Sequence, residues 1–162
     1  MMPSPEIARE PETVRIADQL RRMYYGPAWH GPALTEVLEG LSESQAAARP
    51  LTYAHSIWEL VLHTTAWLRV TRERLSATKN VEPTSAENWP SVTGLWMDAL
   101  AALESEYRKL EDAIRALEEQ RLDAPAPATE PQTFYILLHG AIQHIAYHAG
   151  QIVLLKKAGE EQ

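Results

Sequence analysis

Apolar residues recur every three to four positions along four long stretches of the chain, the spacing of one buried face of an α-helix. No stretch alternates between apolar and polar residues as a half-buried β-strand does. The first helical pattern begins at Glu12 and is interrupted at Gly26-Pro27. The predicted helices cover residues 12–23 with a second piece at 34–41 and a capped turn at 42–49, then 56–77, 93–120 and 133–158.

The connection between the second and third long helices is too long for a tight turn. It runs from Lys79 to Thr93 and consists of fifteen mostly polar residues that include prolines. Antiparallel neighbours in a bundle are usually joined by about 2–8 residues. We therefore predict an all-α four-helix bundle with a long crossover between helices two and three.

Length and composition indicate one domain. The chain has 162 residues, 45% of them hydrophobic and 23% charged, as in an ordinary globular domain. We assign residues 12–158 to this domain and expect the Pro- and Glu-rich residues 1–11 to form a flexible tail. Because the N-terminal stretch has neither an apolar signal core nor a segment long enough to span a bilayer, we expect a cytoplasmic protein.

Charge and cysteine content remove several classes of function. The absence of cysteine excludes disulfides, thiolate metal ligands and a cysteine nucleophile. A net charge of −7 without any basic block argues against nucleic acid and anionic membranes as partners. A small-molecule substrate is the partner that this composition leaves open.

Three histidines lie on predicted helix faces that otherwise hold core residues. His144 and His148, four residues apart on the fourth helix, have Cβ atoms about 5–6 Å apart. His63 on the second helix shares its face with Leu60 and Trp67. Three neutral imidazoles can hold Zn²⁺ at about 2.0–2.1 Å and leave one position open. Imidazole also suits nickel, iron and copper, and the alternative role is that of hydrogen-bonded structural histidines.

Two polar residues on the same faces are candidates for catalysis. Glu59 lies one turn before His63 and can orient a ligand imidazole or act as a general base. It also stands three residues after Ser56, so it can serve only as the capping-box partner of that serine. Gln151 follows His148 by three residues and can hydrogen-bond a substrate, or it can be a satisfied polar group inside the bundle.

Other aromatic and histidine side chains are candidates for the pocket. Trp29 and His30 lie in an interrupting loop that can approach the open end of the bundle, and Tyr147 can edge the site. Each has a simpler alternative, an exposed loop for the first two and core or interface packing for Tyr147. His139 projects from another side of its helix and is predicted not to be a ligand, and His55 is expected to be a surface or packing residue.

The fourth helix is apolar nearly all the way round. A helix that is hydrophobic on every side is buried on every side. Gly140 and Gly150 permit close approach of another helix. We therefore expect a homodimer that uses helix four or its neighbours.

Taken together, these motifs resemble a known family. The C-terminal stretch HGAIQHIAYHAGQIVLLKK and the upstream SIWELVLHTTAW resemble the DinB-like (YfiT-type) metalloenzyme superfamily, with further support from WHGPALTEVLEGLSESQAAARP and the ENWP turn. The resemblance extends from about Val14 to Lys157. It implies a dimeric four-helix bundle with up-down-down-up topology, whose metal ligands are His63, His144 and His148.

The resemblance also implies a range of activities. Characterised members are S-transferases that use low-molecular-weight thiols such as bacillithiol or mycothiol, and a mycothiol-dependent maleylpyruvate isomerase. It therefore implies one divalent metal, zinc or nickel before iron or manganese, a thiol cosubstrate, and transfer of that thiol to an electrophile. The alternatives are a metal-dependent hydrolase, or a non-enzymatic module in which the metal staples two helices. A site with three protein ligands and an adjoining pocket favours the enzyme.

Overall fold

Four long helices form a bundle, and three short helices lie in the connections between them. This computed structural model describes residues 9–160; residues 1–8, most of the segment expected to be a flexible tail, lie outside the described residues. The helices are α1 (Glu12–Tyr25), α2 (Leu34–Leu38), α3 (Glu43–Ala47), α4 (Ile57–Arg74), α5 (Ser85–Asn88), α6 (Trp96–Arg115) and α7 (Phe134–Glu160), with a 3₁₀ helix at Glu119–Asp123.

Helices α4 and α6 are neighbours and run in the same direction. Trp58 at the start of α4 lies beside Trp96 at the start of α6, with ring centroids 5.6 Å apart. Arg72 near the end of α4 forms an ion pair of 3.1 Å with Glu106 in the middle of α6. Two consecutive helices that are parallel require a crossover, and residues 75–95, which contain α5, form it.

Helices α1 and α7 run opposite to these two. Tyr25 at the end of α1 hydrogen-bonds Glu104 on α6. At the other end, the backbone N–H of Glu12 donates to Glu119, just beyond α6, over 3.0 Å. Helix α7 packs antiparallel against α4. The predicted four-helix bundle with up-down-down-up topology and a long crossover is therefore confirmed.

The core lies between the four long helices, and each of them contributes side chains that are almost completely buried. Examples are Leu20 from α1, Leu68 from α4, Leu110 from α6 and Ile152 from α7. Burial of each such side chain contributes roughly 1.5–3 kcal/mol to folding. No helix in residues 9–160 is both long and apolar enough to cross a membrane.

The start of α4 is determined by the capping box that the sequence predicts. The Ser56 hydroxyl accepts the backbone N–H of Glu59 at 3.2 Å, and the Glu59 carboxylate accepts the backbone N–H of Ser56 at 2.7 Å. Ser42 and Gln45 form the second predicted box at α3. The first box sets the helical register of His63 and so the direction in which its imidazole projects.

Four predicted helix boundaries are wrong by about a turn or more. The piece predicted at 34–41 ends at Leu38, and the helix predicted at 93–120 ends at Arg115. Helix α4 ends at Arg74 rather than Ala77. The Arg121 guanidinium donates a hydrogen bond of 2.9 Å to the backbone carbonyl of Leu75, the residue that follows this end. Helix α6 begins at Trp96 rather than Thr93, because Gly94 has a φ of 79°, which an α-helix does not accommodate.

Candidate metal centre

Three histidines from two antiparallel helices meet in the layer between α4 and α7. The Nε2 atom of His144 lies 3.1 Å from Nε2 of His63 and 2.9 Å from Nε2 of His148. His63 is 6% exposed and His148 5% exposed, while His144 is half-buried. The spacing that placed two imidazoles on one helix face has thus brought them to a third imidazole 81 residues away in sequence.

The distances between these nitrogen atoms are close to those of a metal shell. A tetrahedral zinc ion with nitrogen ligands at about 2.0–2.1 Å requires nitrogen atoms roughly 3.3 Å apart. All three possible ligand atoms lie within 4.8 Å of one another. Small side-chain adjustments therefore suffice to place His63, His144 and His148 around one ion.

The hydrogen bonds on the far side of two rings determine which nitrogen carries the proton. The Nδ1 atom of His63 lies 2.6 Å from the backbone carbonyl of Asn88, which can only accept, so this nitrogen donates. The Nδ1 atom of His148 lies 2.7 Å from the side-chain oxygen of Gln151 and donates likewise. Both Nε2 atoms therefore carry lone pairs and face His144.

This arrangement of lone pairs fits a cation. A neutral imidazole has one N–H and one lone pair. If Nε2 of His144 carries a proton, that N–H can form a full hydrogen bond to the lone pair of His63 or of His148. It can reach the other lone pair only as a bifurcated hydrogen bond. One divalent ion accepts a lone pair from all three rings at once, and the outer hydrogen bonds hold the rings in the tautomer that such an ion needs.

The environment keeps these rings neutral. Burial lowers the pKa of His144 to about 3, and the charges of His148 and His63 act in the same direction. Burial also lowers the pKa of His63 and of His148, although hydrogen bonds to Asn88 and Gln151 act against it. Neutral imidazole is the form that binds a metal.

The crossover supplies residues that the sequence analysis did not assign to the site. Trp89 stacks on His63 with ring centroids 3.9 Å apart, and its other face stacks on His55 at 3.6 Å. Asn88 accepts from His63 through its backbone and from the Trp67 indole N–H through its side chain, at 2.7 Å. The sequence did contain one sign of this contact. A tryptophan in an otherwise polar connection is expected to pack against another part of the protein, because a large apolar ring is unfavourable in water.

The two polar candidates have different surroundings. Gln151 contacts His148 directly and fixes its orientation. Glu59 completes the Ser56 cap and forms an ion pair with Arg49 of 2.5 Å. Burial alone would raise the pKa of the Glu59 carboxyl, but the bonds from Ser56 and the charge of Arg49 together hold it below its ordinary value. No side-chain hydrogen bond or ion pair joins Glu59 to His63 in residues 9–160.

A cavity of about 370 Å³ opens beside the histidines. His63 and His144 form one end of it, and Arg74, from the last turn of α4, lies at the other. The lining residues come from α4, the crossover, the segment just before α7 and the first half of α7: His63, Trp67, Thr71, Arg74, Asn88, Gln132, Leu137, Gly140, Ala141 and His144.

The remaining candidates lie away from this cavity. Trp29 is fully exposed and His30 is exposed, both in the loop before α2, and neither belongs to the cavity lining. Tyr147 contacts His148 with ring centroids 5.2 Å apart but is 64% exposed on the outer side of α7. His139 packs against Tyr135 at 4.4 Å and is outside the three-histidine group.

Solved structures with the same fold support this description of the bundle. A conserved protein of Enterococcus faecalis is 16% identical, covers 93% of this chain and 96% of its own, and has a TM-score of 0.66. YfiT of Bacillus subtilis, described as a probable metal-dependent hydrolase with an unusual four-helix bundle topology, is 16% identical with coverages of 97% and 92% and a TM-score of 0.66.

A third structure, the DinB-like protein YjoA of Bacillus subtilis, is 18% identical, with 90% of each chain covered and a TM-score of 0.58. At these identities the likeness concerns the fold alone. A comparison with curated proteins finds no match. The family model of the DinB superfamily matches residues 28–152, most of the chain, and includes all three histidines. The chain therefore belongs to the DinB superfamily.

Proposed function

We propose that this protein is a metal-dependent enzyme in which His63, His144 and His148 hold one divalent ion. The observation that carries the proposal is the direction of the hydrogen bonds at Asn88 and Gln151, which leaves lone pairs converging on one point. Zinc and nickel suit three imidazoles best, and iron or manganese can occupy the same nitrogen set. Such an ion acts as a Lewis acid and lowers the pKa of a water or thiol that shares it.

The open side of the site supports a catalytic metal ion over a purely structural one. A structural ion is usually enclosed by four protein ligands, whereas a catalytic ion keeps a free position. The described part of the chain gathers three histidines without a fourth ligand, and the cavity lies against two of them. A substrate can therefore reach the side of the site that protein atoms leave open.

The charges around the cavity favour thiol transfer over hydrolysis. None of the residues that line it is acidic, and Glu59 is occupied by its cap and by Arg49. A bound metal has to lower the pKa of water from about 15.7 to about 7 before water can attack, and a general base often assists that step. A thiol with an ordinary pKa of about 8.5 ionises at a Lewis acid without such a base. We therefore propose transfer of a low-molecular-weight thiol of the bacillithiol or mycothiol type to an electrophilic carbon.

Hydrolysis is the second candidate, on the strength of the fold shared with YfiT and of that protein's description as a probable metal-dependent hydrolase. A panel that offers chlorodinitrobenzene with cysteine, glutathione, bacillithiol or mycothiol, and nitrophenyl esters without thiol, separates the two. We expect thiol conjugation by the metal-loaded protein and its loss in His148→Ala. Ester cleavage without thiol would favour the hydrolase. Turnover of neither class would support a non-enzymatic metal-stapled module.

We further propose a homodimer through α7. Its outer side presents three large apolar residues along one line: Ile136, Tyr147 and Leu154 are 55%, 64% and 63% exposed. They are spaced by whole numbers of helical turns and so form one stripe. Light scattering coupled to size exclusion should give the mass of two chains, and Leu154→Glu should reduce it to one. A monomeric wild-type protein at micromolar concentration would contradict the dimer.

A further inference from the structure

Arg74 is a buried charge whose hydrogen-bonding capacity is only partly used. It is 3% exposed, and its guanidinium group offers five N–H donors and no acceptor. Its Nε donates to the Val81 carbonyl at 2.9 Å, and one terminal nitrogen pairs with Glu82 at 2.9 Å. The other terminal nitrogen has no partner in residues 9–160. Because Arg74 lines the cavity beside the histidines, this unused donor group belongs to the cavity wall.

Two further polar side chains of the same cavity are also unpaired. The Thr71 hydroxyl and the Gln132 amide line it, and neither side chain hydrogen-bonds another residue that the structure describes. Thr71 is 3% exposed and lies about one helical turn from Arg74. Gln132 is half-buried, so both side chains can offer polar atoms to a ligand or to water in the cavity.

Arg74 is the charged residue of the cavity lining, and its partner Glu82 lies outside that lining. The lining contains Arg74 and no carboxylate, in a chain whose acidic residues outnumber its basic ones by 22 to 15. Glu82 approaches Arg74 from the crossover. The Glu82 side chain is 40% exposed and the Arg74 side chain 4% exposed, so solvent screens the charge of Glu82 more than that of Arg74. An anion in the cavity therefore meets an arginine that is only partly neutralised.

Trp67 connects this end of the cavity to the histidines. The Arg74 guanidinium carbon lies 5.6 Å from the Trp67 ring, whose centroid is 5.9 Å from that of His144. One indole thus spans the distance between the charged end and the metal centre. A ligand of similar length that lies along this ring reaches both.

We propose that the cavity binds small molecules that carry an anionic oxygen group, such as a carboxylate, held by Arg74 with help from Thr71 and Gln132. The reactive end of the molecule then lies at the three histidines. A volume of about 370 Å³ suits a small molecule of this kind. This inference rests on the proposed metal function and assigns a charge to the substrate.

The experiment compares two thiols of equal chain length, mercaptohexanoate, which ends in a carboxylate, and mercaptohexanol, which ends in a neutral hydroxyl. Each is titrated into the Co²⁺-loaded protein, where coordination of sulfur produces a charge-transfer band, and affinity is also measured by calorimetry. We expect the acid to bind at least about tenfold more tightly than the alcohol, since a charge-assisted hydrogen bond is worth that much.

Variants separate an anion site from a purely structural role of Arg74 as the anchor of the crossover. Arg74→Met should abolish the preference for the acid, and Arg72→Gln, which removes a charge from the same helix away from the cavity, should keep it. Glu82→Gln retains an oxygen acceptor for Arg74 but removes the competing charge, so it should increase the preference. A merely structural Arg74–Glu82 pair predicts no such increase, and this variant remains informative if Arg74→Met does not fold.

Three outcomes would overturn the inference. Equal affinities for the two thiols in the wild type would exclude an anion site while leaving the metal centre intact. A preference that survives in a folded Arg74→Met protein would show that Arg74 does not provide it. Failure of the protein to bind Co²⁺ would contradict the proposed function itself, and the inference would fall with it.

Discussion

The bundle contains two layers in which three polar aromatic rings meet, one of tyrosines between α1 and α6 and one of histidines between α4 and α7. In the first, Tyr24 stacks on Tyr107 with ring centroids 3.9 Å apart, and Tyr25 meets Tyr107 edge-on at 5.1 Å. In the second, the His144 and His148 centroids are 4.4 Å apart and nearly perpendicular. Each layer contains two buried rings that carry hydrogen-bonding atoms, Tyr24 and Tyr107 in the first and His63 and His148 in the second.

The two layers differ in where those atoms find partners. In the tyrosine layer the Tyr25 hydroxyl donates to Glu104, and the Tyr107 hydroxyl donates to Glu111 over 2.6 Å. Burial, with the bond to Glu104, raises the pKa of Tyr25 to about 12, so this hydroxyl stays protonated and remains a donor. The hydroxyl groups of Tyr25 and Tyr107 therefore have their hydrogen-bond acceptors within the protein.

The histidine layer directs the outer nitrogens of His63 and His148 to neutral oxygens and the inner nitrogens of all three rings to one another. No carboxylate contacts His63, His144 or His148 in residues 9–160. Such a layer is incomplete as a structural network but complete as a set of three neutral ligands. A buried polar cluster therefore indicates function when its donors and acceptors do not match within the protein.

Tyr107→Ala should have the largest effect on stability. Removal of a large, completely buried ring and of its bond to Glu111 should lower the free energy of unfolding by about 3–5 kcal/mol. Chemical denaturation of the metal-free protein measures this change. Metal affinity of the folded fraction should remain that of the wild type, and a parallel loss of metal would show that the two layers are not independent.

His144→Ala should have the opposite pattern. We expect metal affinity to fall by more than about 100-fold, beyond the usual cost of losing a residue that only supports a ligand. The metal-free variant should unfold at nearly the same denaturant concentration as the metal-free wild type. The loss of packing is offset because the variant no longer holds the His144 Nε2 atom close to the Nε2 atoms of His63 and His148. Calorimetric titration with Zn²⁺ and denaturation give the two quantities. A severely destabilised apo-protein would identify the histidine layer as structural.

Gln151→Leu should weaken metal binding by about 10–100-fold without removing a ligand, since a residue that orients a ligand imidazole has effects of this size. Glu59→Gln provides the matched control, because it alters a polar residue one turn from His63 that contacts only the cap and surface charges. Its metal affinity should be unchanged. The same competition titration with a chelating dye serves both variants, and equal losses would assign Glu59 to the site.

The smallest effect concerns acid stability of the tyrosine layer. Burial alone would raise the pKa of Glu104, but bonds from Tyr25, Arg108 and Tyr24 together hold it below its ordinary value of 4.5. The folded protein therefore keeps this group ionised where the unfolded chain is already protonated. The resulting stability is present above pH 4.5 and is lost as the pH falls through the folded-state pKa.

Glu104→Gln should accordingly lose less stability than the wild type between pH 5 and pH 3, by less than about 1 kcal/mol because the pair is partly exposed. Urea denaturation of both metal-free proteins across this range gives the comparison. Identical pH profiles would show that Glu104 does not stabilise the tyrosine layer through its charge.

Local periodicity was sufficient to predict four long helices and to place three histidines on their core-facing sides, whereas the up-down-down-up topology was implied by the family resemblance. A spacing of four places His144 and His148 on one face of a helix whatever surrounds it, and the capping box at Ser56 determines the face of His63. Each of these relations lies within a single helix. The crossover was predicted from its length alone, because parallel consecutive helices must be joined along the whole bundle.

The residues that support the histidines could not be predicted in the same way. Asn88 and Trp89 reach His63 only because the crossover folds back over α4. The path of an irregular segment cannot be predicted from the spacing of apolar residues, which indicates only helices and strands. Arg74 does lie on the helix face of His63, at eleven residues' distance, but its neighbour Glu82 again comes from the crossover. Trp29 and His30 failed to reach the cavity for the same reason, since the direction of their loop depends on tertiary contacts.

The most direct test of the central claim is the metal content and ligand shell of the protein purified without a nickel column. Elemental analysis with X-ray absorption spectroscopy should find one divalent ion per chain, bound by three imidazole nitrogens, at about 2.0–2.1 Å if the metal is zinc. A variant in which His63, His144 and His148 are all replaced by alanine should be folded and free of metal. A wild-type protein that takes up no divalent ion, or a triple variant that retains it, would contradict the account.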